Sequence, residues 1–280
     1  MNTKVPPRFS QRSQRVSGKG AIHALAKARE LQEQGLDIIH LEAGELDLDT
    51  PTHILQAAVN SLRNGRTRYS SSQGIQSLRE EIARYINSTR STMTSPTNVV
   101  VTPGVKGAIF AAIMALIESG DEVIVQDPGF PSYGAITKFA GGTAVPWRQT
   151  MDNDFAYDID QLQSIVNNKT KLIVINNPNN PTGTIMSRQV LESISEIALK
   201  HNLWVISDEI YSQLYFNRTF PTSIFSIPGM AERTILMDGF SKAYAMTGWR
   251  LGFGIFPNSM IERVCSIILN DYSCLPEFVQ

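Results

Sequence analysis

A lysine, a carboxylate and an arginine stand just beyond apolar runs in this sequence. Lys242 lies in Asp238-Gly-Phe-Ser-Lys-Ala-Tyr244, directly after the run Thr234 to Met237, and Arg250 follows eight residues later in Thr247-Gly-Trp-Arg-Leu-Gly252. A lysine among small and aromatic neighbours and near another cation gives up its proton more readily than a solvated one, and becomes a usable nucleophile and base. A solvated loop lysine is the commoner alternative. Asp208 ends the run Leu203-Trp-Val-Ile-Ser207 and is followed by Glu-Ile-Tyr211. A carboxylate at the mouth of an apolar strand loses much of its hydration, so something cationic should face it. Taken alone, a strand-end helix cap or a metal ligand is the commoner reading.

Val99-Val-Val-Thr-Pro-Gly-Val-Lys-Gly107 runs from a strand straight into a helix. The free amides of Gly104, Val105 and Lys106 would open that helix toward an anion, although an ordinary strand-to-helix turn has the same form. The fork of Arg250 suits a phosphate. The stretch is not a P-loop, and Gly18-Lys-Gly20 is not a dinucleotide fingerprint, because the required spacings are missing. Asn176-Asn-Pro-Asn-Asn-Pro-Thr-Gly183, which contains Asn180, follows the run Lys171 to Ile175. Its two Asn-Pro steps impose an extended, turning loop. Phe130, in Asp127-Pro-Gly-Phe-Pro-Ser-Tyr133, offers either a flat ring face or a core contact. An amine, an acid, a guanidinium, a helix N-terminus, an amide and an aromatic together are what a phosphorylated pyridine aldehyde requires.

The elements that must position these groups read as short buried strands separated by helices. Asn98–Val101, Glu122–Val125, Lys171–Ile175, Leu203–Ser207 and Thr234–Met237 are short, rich in β-branched residues and not alternating, as in a sheet covered on both faces. Gly104–Glu118, Ser187–His201, Gln73–Tyr85 and Pro51–Leu62 carry apolar residues at helical spacing. The alternation predicts an α/β fold with a mostly parallel sheet between helices. Ligands of such sheets bind beyond the carboxyl ends of the strands, where the residues above fall.

The bulk properties exclude some classes. A net charge of −1 over 280 residues gives no global field toward nucleic acid or a membrane, and no apolar run is long enough for a span. The basic residues Lys4, Arg8, Arg12, Arg15 and Lys19 precede the first acid, Glu30; they read as a basic arm, with an organelle transit peptide as the alternative. Cys265 and Cys274 suit neither a zinc site nor a disulfide framework, so a reduced, cytoplasmic protein is expected. The sequons at Asn87, Asn168 and Asn217 are taken as chance.

On Asn-Asn-Pro-Asn-Asn-Pro-Thr-Gly, Ser-Asp-Glu-Ile-Tyr and Gly-Phe-Ser-Lys-Ala-Tyr-Ala-Met-Thr-Gly-Trp-Arg-Leu-Gly the chain resembles the class I/II aminotransferases of pyridoxal-phosphate (PLP) fold type I, within them the aspartate/aromatic-type subgroup. Similarity extends to Leu41–Pro51 and to Tyr69, Gly74 and Leu78-Arg79. The resemblance implies that Lys242 carries PLP and shuttles the substrate α-proton, and that Asp208 pairs with the ring nitrogen. Tyr211 and Asn180 would bond the ring hydroxyl and Phe130 would stack on the ring. Arg250 and the amides at Gly104, Val105 and Lys106 would hold the phosphate. Gly44, with Asn180, would meet the substrate. Tyr69 would reach the phosphate of a second subunit, which implies a homodimer. The implied reaction is amino transfer between an L-amino acid and a 2-oxo acid, with Lys106 favouring aspartate or glutamate; a carbon–sulfur β-lyase, a cyclopropane-forming synthase or a non-catalytic PLP binder are alternatives. Leu46, Asp238 and Gly239 depart from the usual pattern. The implied division is residues 1–49 as an N-terminal arm and partial small domain and 50–280 as the large PLP-binding domain. The C-terminal small domain, with its carboxylate-binding arginine, is expected to be absent.

Overall fold

The computed structural model describes residues 8–16, 21–216 and 220–280. Lys4, Gly18-Lys-Gly20 and the Asn217 sequon lie outside them. One seven-stranded sheet runs in the order β1-β7-β6-β5-β4-β2-β3, with β1 Val99–Thr102, β2 Glu122–Asp127, β3 Thr143–Arg148, β4 Thr170–Asn176, β5 Trp204–Asp208, β6 Thr234–Gly239 and β7 Gly252–Ile255. All five strands anticipated from the apolar runs are present. β3 and β7 are additional, and each hides from a hydrophobic pattern for its own reason. β3 carries Pro146 and lies at the sheet edge, where a missing N–H costs no ladder bond. β7 is Gly-Phe-Gly-Ile, a composition that reads as a turn.

Strand β7 runs antiparallel to both β1 and β6, while the pairs β2–β3, β2–β4, β4–β5 and β5–β6 are parallel. Because β1 and β6 both oppose β7, they point the same way. The carboxyl ends of β1, β2, β4, β5 and β6 therefore share one edge with the start of β7. That edge is where Gly104, Phe130, Asn180, Asp208, Lys242 and Arg250 follow or precede their strands.

The helices are α1 Gln11–Gln14, α2 Ala21–Glu33, α3 Thr52–Arg63, α4 Gln76–Arg90, α5 Gly104–Leu116, α6 Ser132–Ala140, α7 Ile159–Ile165, α8 Arg188–Lys200 and α9 Asn258–Asp271. Helix α8 starts one residue after its expected beginning because the Ser187 hydroxyl caps it, accepting from the Val190 amide. Strand residues alternate between two cores. Leu172 and Val174 of β4 pack with Ala108, Ile109 and Ile113 of α5 and Val264 and Ile268 of α9. Ile173 and Ile175 pack with Leu191 and Ile194 of α8, Leu162 of α7 and Trp147. Each such buried aliphatic side chain stabilises the fold by about 2 kcal/mol. A third cluster joins Ile82, Ala83 and Ile86 of α4 to β1 and β7. No described helix is long and apolar enough to cross a membrane.

Candidate active site

Asp208, the last residue of β5, is 3% exposed. Its carboxylate accepts a hydrogen bond from the Tyr133 hydroxyl at 2.7 Å and from the Ile210 amide at 3.2 Å. Burial pushes its titration up to about 6, and the Tyr133 bond holds it back. Tyr133, on α6, is raised well above its ordinary range by burial and then by the Asp208 charge, so it remains a donor. No protein cation meets the expectation of a positive charge opposite Asp208: among the described residues Asp208 makes no salt bridge, and the Tyr133 phenol donates to it. One carboxylate is left with an unmet demand for positive charge in a dry site.

Lys242 is half-buried, and its Nζ donates to the Gly44 carbonyl. Burial lowers the Lys242 amine below its ordinary range; Glu45 opposes that shift and Arg250 adds to it. The amine lies 5.9 Å from the centre of the Tyr211 ring. Asn180 Nδ2 donates to the Tyr211 hydroxyl at 3.2 Å. The Tyr211 phenol is raised by burial and by the Asp208 charge. Phe130 packs edge-on against Tyr133, with ring centres 5.5 Å apart, and Lys106 Nζ stands 5.4 Å from its ring centre. Tyr69 is 92% exposed, and its side chain makes no hydrogen bond to another site residue among the described residues.

The anion side is built by close backbone approach. Gly104 opens α5 at φ +67°, and a Cβ there would come within 2.6 Å of Arg250 Nη2. Arg250 itself adopts φ +55°, a left-handed conformation rare for a side-chain-bearing residue. Its guanidinium donates to the carbonyls of Thr247 at 2.9 Å and Pro103 at 3.5 Å. Gly252 lies beneath, where a Cβ would meet the Gly104 carbonyl carbon and the Val105 nitrogen at 2.6 Å. As the first residues of α5, Gly104, Val105 and Lys106 present amides with no acceptor inside the helix. Gly252→Ala is accordingly expected to push α5 away from β7. A loss of about 1–3 kcal/mol should appear in denaturant melts, together with weaker binding of PLP in equilibrium dialysis.

Two groups of residues went unread in the sequence. Asn176, the last residue of β4, donates through Nδ2 to the Asp208 carbonyl at 2.9 Å, and its Oδ1 accepts from the Asn180 amide at 2.7 Å. It ties together two residues that the motifs had singled out separately. Arg90, Glu209 and Asp238 form a buried ion cluster. Asp238, near the end of β6, was visible beforehand as a departure from the usual asparagine, Glu209 had been quoted in its motif without a role, and Arg90 had not been read. Tyr133 had been quoted within its motif without a role.

The donors fit PLP. A dry carboxylate without a cation suits a protonated ring nitrogen, a lysine with a lowered amine titration suits an aldehyde, and an open helix end beside an arginine suits a phosphate. The fold and this set of groups define a site of the PLP fold type I kind. A sequence model described as "Aminotransferase class I and II" matches residues 36–280, and the chain belongs to that family, whose members use PLP. It is 37% identical over 261 residues to the aspartate/prephenate aminotransferase of Thermus thermophilus, covering 92% of this chain and 66% of that one. It is 36% identical over 277 residues to the arginine–pyruvate transaminase AruH of Pseudomonas aeruginosa, covering 98% and 70%. The chain thus spans about two thirds of the length of these relatives. Among solved structures, the aspartate aminotransferase from Thermus thermophilus with maleate superposes with a TM-score of 0.95 at 34% identity, over 98% of this chain and 71% of that one.

Proposed function

We propose that this protein is a PLP-dependent aminotransferase that moves an amino group from an L-amino acid to a 2-oxo acid. The observation that carries the reading is that a buried carboxylate with no salt bridge among the described residues, Asp208, and a half-buried lysine of lowered amine titration, Lys242, stand at one sheet edge. Bound PLP supplies an electron sink for the pair released when the amino acid loses its α-proton. Asp208 would face the ring nitrogen and favour its protonated form. The hydroxyl of Tyr211 and Nδ2 of Asn180 would bind the ring oxygen, and Phe130 would cover a ring face. The amides of Gly104, Val105 and Lys106 and the guanidinium of Arg250 bind the phosphate. Lys242 Nζ would hold the cofactor aldehyde and, with its lowered titration, would serve as the base for the substrate α-proton. The lowered amine titration leaves a larger neutral, proton-accepting fraction at neutral pH. The backbone at Gly44, already within reach of Nζ, meets the substrate carboxylate.

The donor is an acidic amino acid in this reading, because the Lys106 ammonium over Phe130 puts a cation beside the ring-binding surface. The relatives alone leave the donor open: one is named for aspartate and prephenate and another, at nearly the same identity, for arginine and pyruvate. Residues 50–280 form the large cofactor-binding domain and residues 1–49 an arm with part of the small one. The protein works in the cytoplasm as a homodimer, with Tyr69 reaching the partner's phosphate.

Borohydride reduction of the PLP-loaded protein tests the core of this reading. Peptide mass analysis is expected to find the cofactor fixed on Lys242, and L-aspartate added before reduction is expected to bleach the visible band and release an oxo acid. An unlabelled Lys242 sinks the proposal. Pyruvate and ammonia formed from a cysteine conjugate would move it to a β-lyase.

A further inference from the structure

Three carboxylates crowd the ends of β5 and β6. Glu209 follows Asp208 in the chain, and Asp238 follows Met237, the register partner of Asp208 on β6. All three are 3% exposed. The fully buried Arg90, the last residue of α4, answers two of them. Its Nε donates to Glu209 at 3.0 Å and its Nη2 to Asp238 at 2.9 Å. Nη2 also donates to Ser212 Oγ at 3.0 Å and Nη1 to Thr89 Oγ1 at 2.8 Å. The Phe220 and Tyr85 rings flank the guanidinium at 4.7 and 5.4 Å. The remaining oxygens are satisfied too. Glu209 accepts from the hydroxyls of Ser207 and Ser223, and Asp238 from the Gly239 amide at 2.7 Å.

We propose that Arg90 is a positioning residue of the cofactor site: from the end of α4 it neutralises the carboxylates beside Asp208 and so sets the potential in which Asp208 meets a cationic ring nitrogen. The inference rests on the PLP reading given above. Burial alone would lower the Arg90 guanidinium, but Glu209 and Asp238 outweigh it and its titration is raised. Asp238 is pushed up to about 7 by burial, against the pull of Arg90, with Glu209 and Asp208 pushing further. The other titratable groups facing the cluster are phenols. Tyr85 lies beside Arg90, Tyr244 is raised by burial, Tyr85 and Asp238, and Tyr133 and Tyr211 flank Asp208. Arg90 is thus the single cation in contact with this cluster among the described residues. With Arg90, Glu209 and Asp238 all ionised the cluster carries +1 −1 −1, a net −1. Loss of the arginine makes it −2 wherever Asp238 stays ionised, and further loss of the Asp238 charge returns it to −1.

The test is the pH midpoint of the visible absorbance of bound PLP in the wild type, Arg90→Lys, Arg90→Gln and the double variant Arg90→Gln with Asp238→Asn. Added negative charge favours protonated forms, so Arg90→Gln is expected to raise the midpoint by about one unit. Arg90→Lys and the double variant, in which an amide pair replaces the ion pair, are expected to keep the wild-type value. A folded Arg90→Gln with an unshifted midpoint, or a double variant shifted as far as the single, overturns the proposal. If Arg90→Gln does not fold, the other two decide: unshifted midpoints support the inference, and a shift above about half a unit in either defeats it. Absence of any visible band in the wild type would instead defeat the PLP reading itself.

Discussion

Lys242→Ala is expected to lower the rate of the half-reaction with L-aspartate by about 10⁴-fold, the upper range for loss of a positioned general base. The geometry explains the size. Asp208, Asn180, Tyr211, Arg250 and the start of α5 all remain, so PLP should still bind and still show in dialysis. What disappears is the one amine at this edge with a lowered titration. Lys242→Arg separates charge from proton transfer, because a guanidinium stays protonated at any working pH. It is expected to be as slow as the alanine variant, although it preserves the positive charge beside Gly44. Single-turnover absorbance measurements give the comparison directly. Activity above about a tenth of the wild type in Lys242→Ala would place the base elsewhere.

Asp208→Asn is expected to do two opposite things. The folded Asp208 carboxyl titrates at about 6, against an ordinary value of 3.8. Between those pH values the folded chain holds a proton that the unfolded chain has released. Stability from this group is therefore present below pH 4 and lost as pH rises toward 6 and above. The gap corresponds to about 3 kcal/mol. Asp238 has the same sign, with its loss continuing through and above about pH 7, so part of the slope survives in the variant. Melts of the cofactor-free protein at pH 8 should find Asp208→Asn more stable than the wild type. The half-reaction should fall by about 10³-fold, because an amide cannot hold a cationic ring nitrogen as a carboxylate does. PLP should raise the melting temperature of the wild type more than that of the variant. Equal cofactor-free stability across pH 4 to 8 would show that Asp208 has no charge to suppress.

The sequence alone determined which residues stand at the working edge. Lys242, Asp208, Asn180, Phe130 and Gly104 each follow a short apolar run, and strands that run the same way deliver their ends to one edge whatever their order. That inference needs only local pattern. The two strands it missed, with Pro146 and with Gly252 and Gly254, are those whose local pattern is atypical because position in the sheet, at an edge or under a helix start, selected their residues. Tertiary structure alone decided what each group faces. Tyr133 reaches Asp208 across 75 residues, Asn176 spans Asp208 and Asn180, and Arg90 reaches Asp238 across 148 residues. Hydrophobic periodicity reports burial of a segment against something. The partner of a buried polar group is fixed by which side chains the completed packing brings within hydrogen-bond distance, a long-range fact that no short stretch of chain contains.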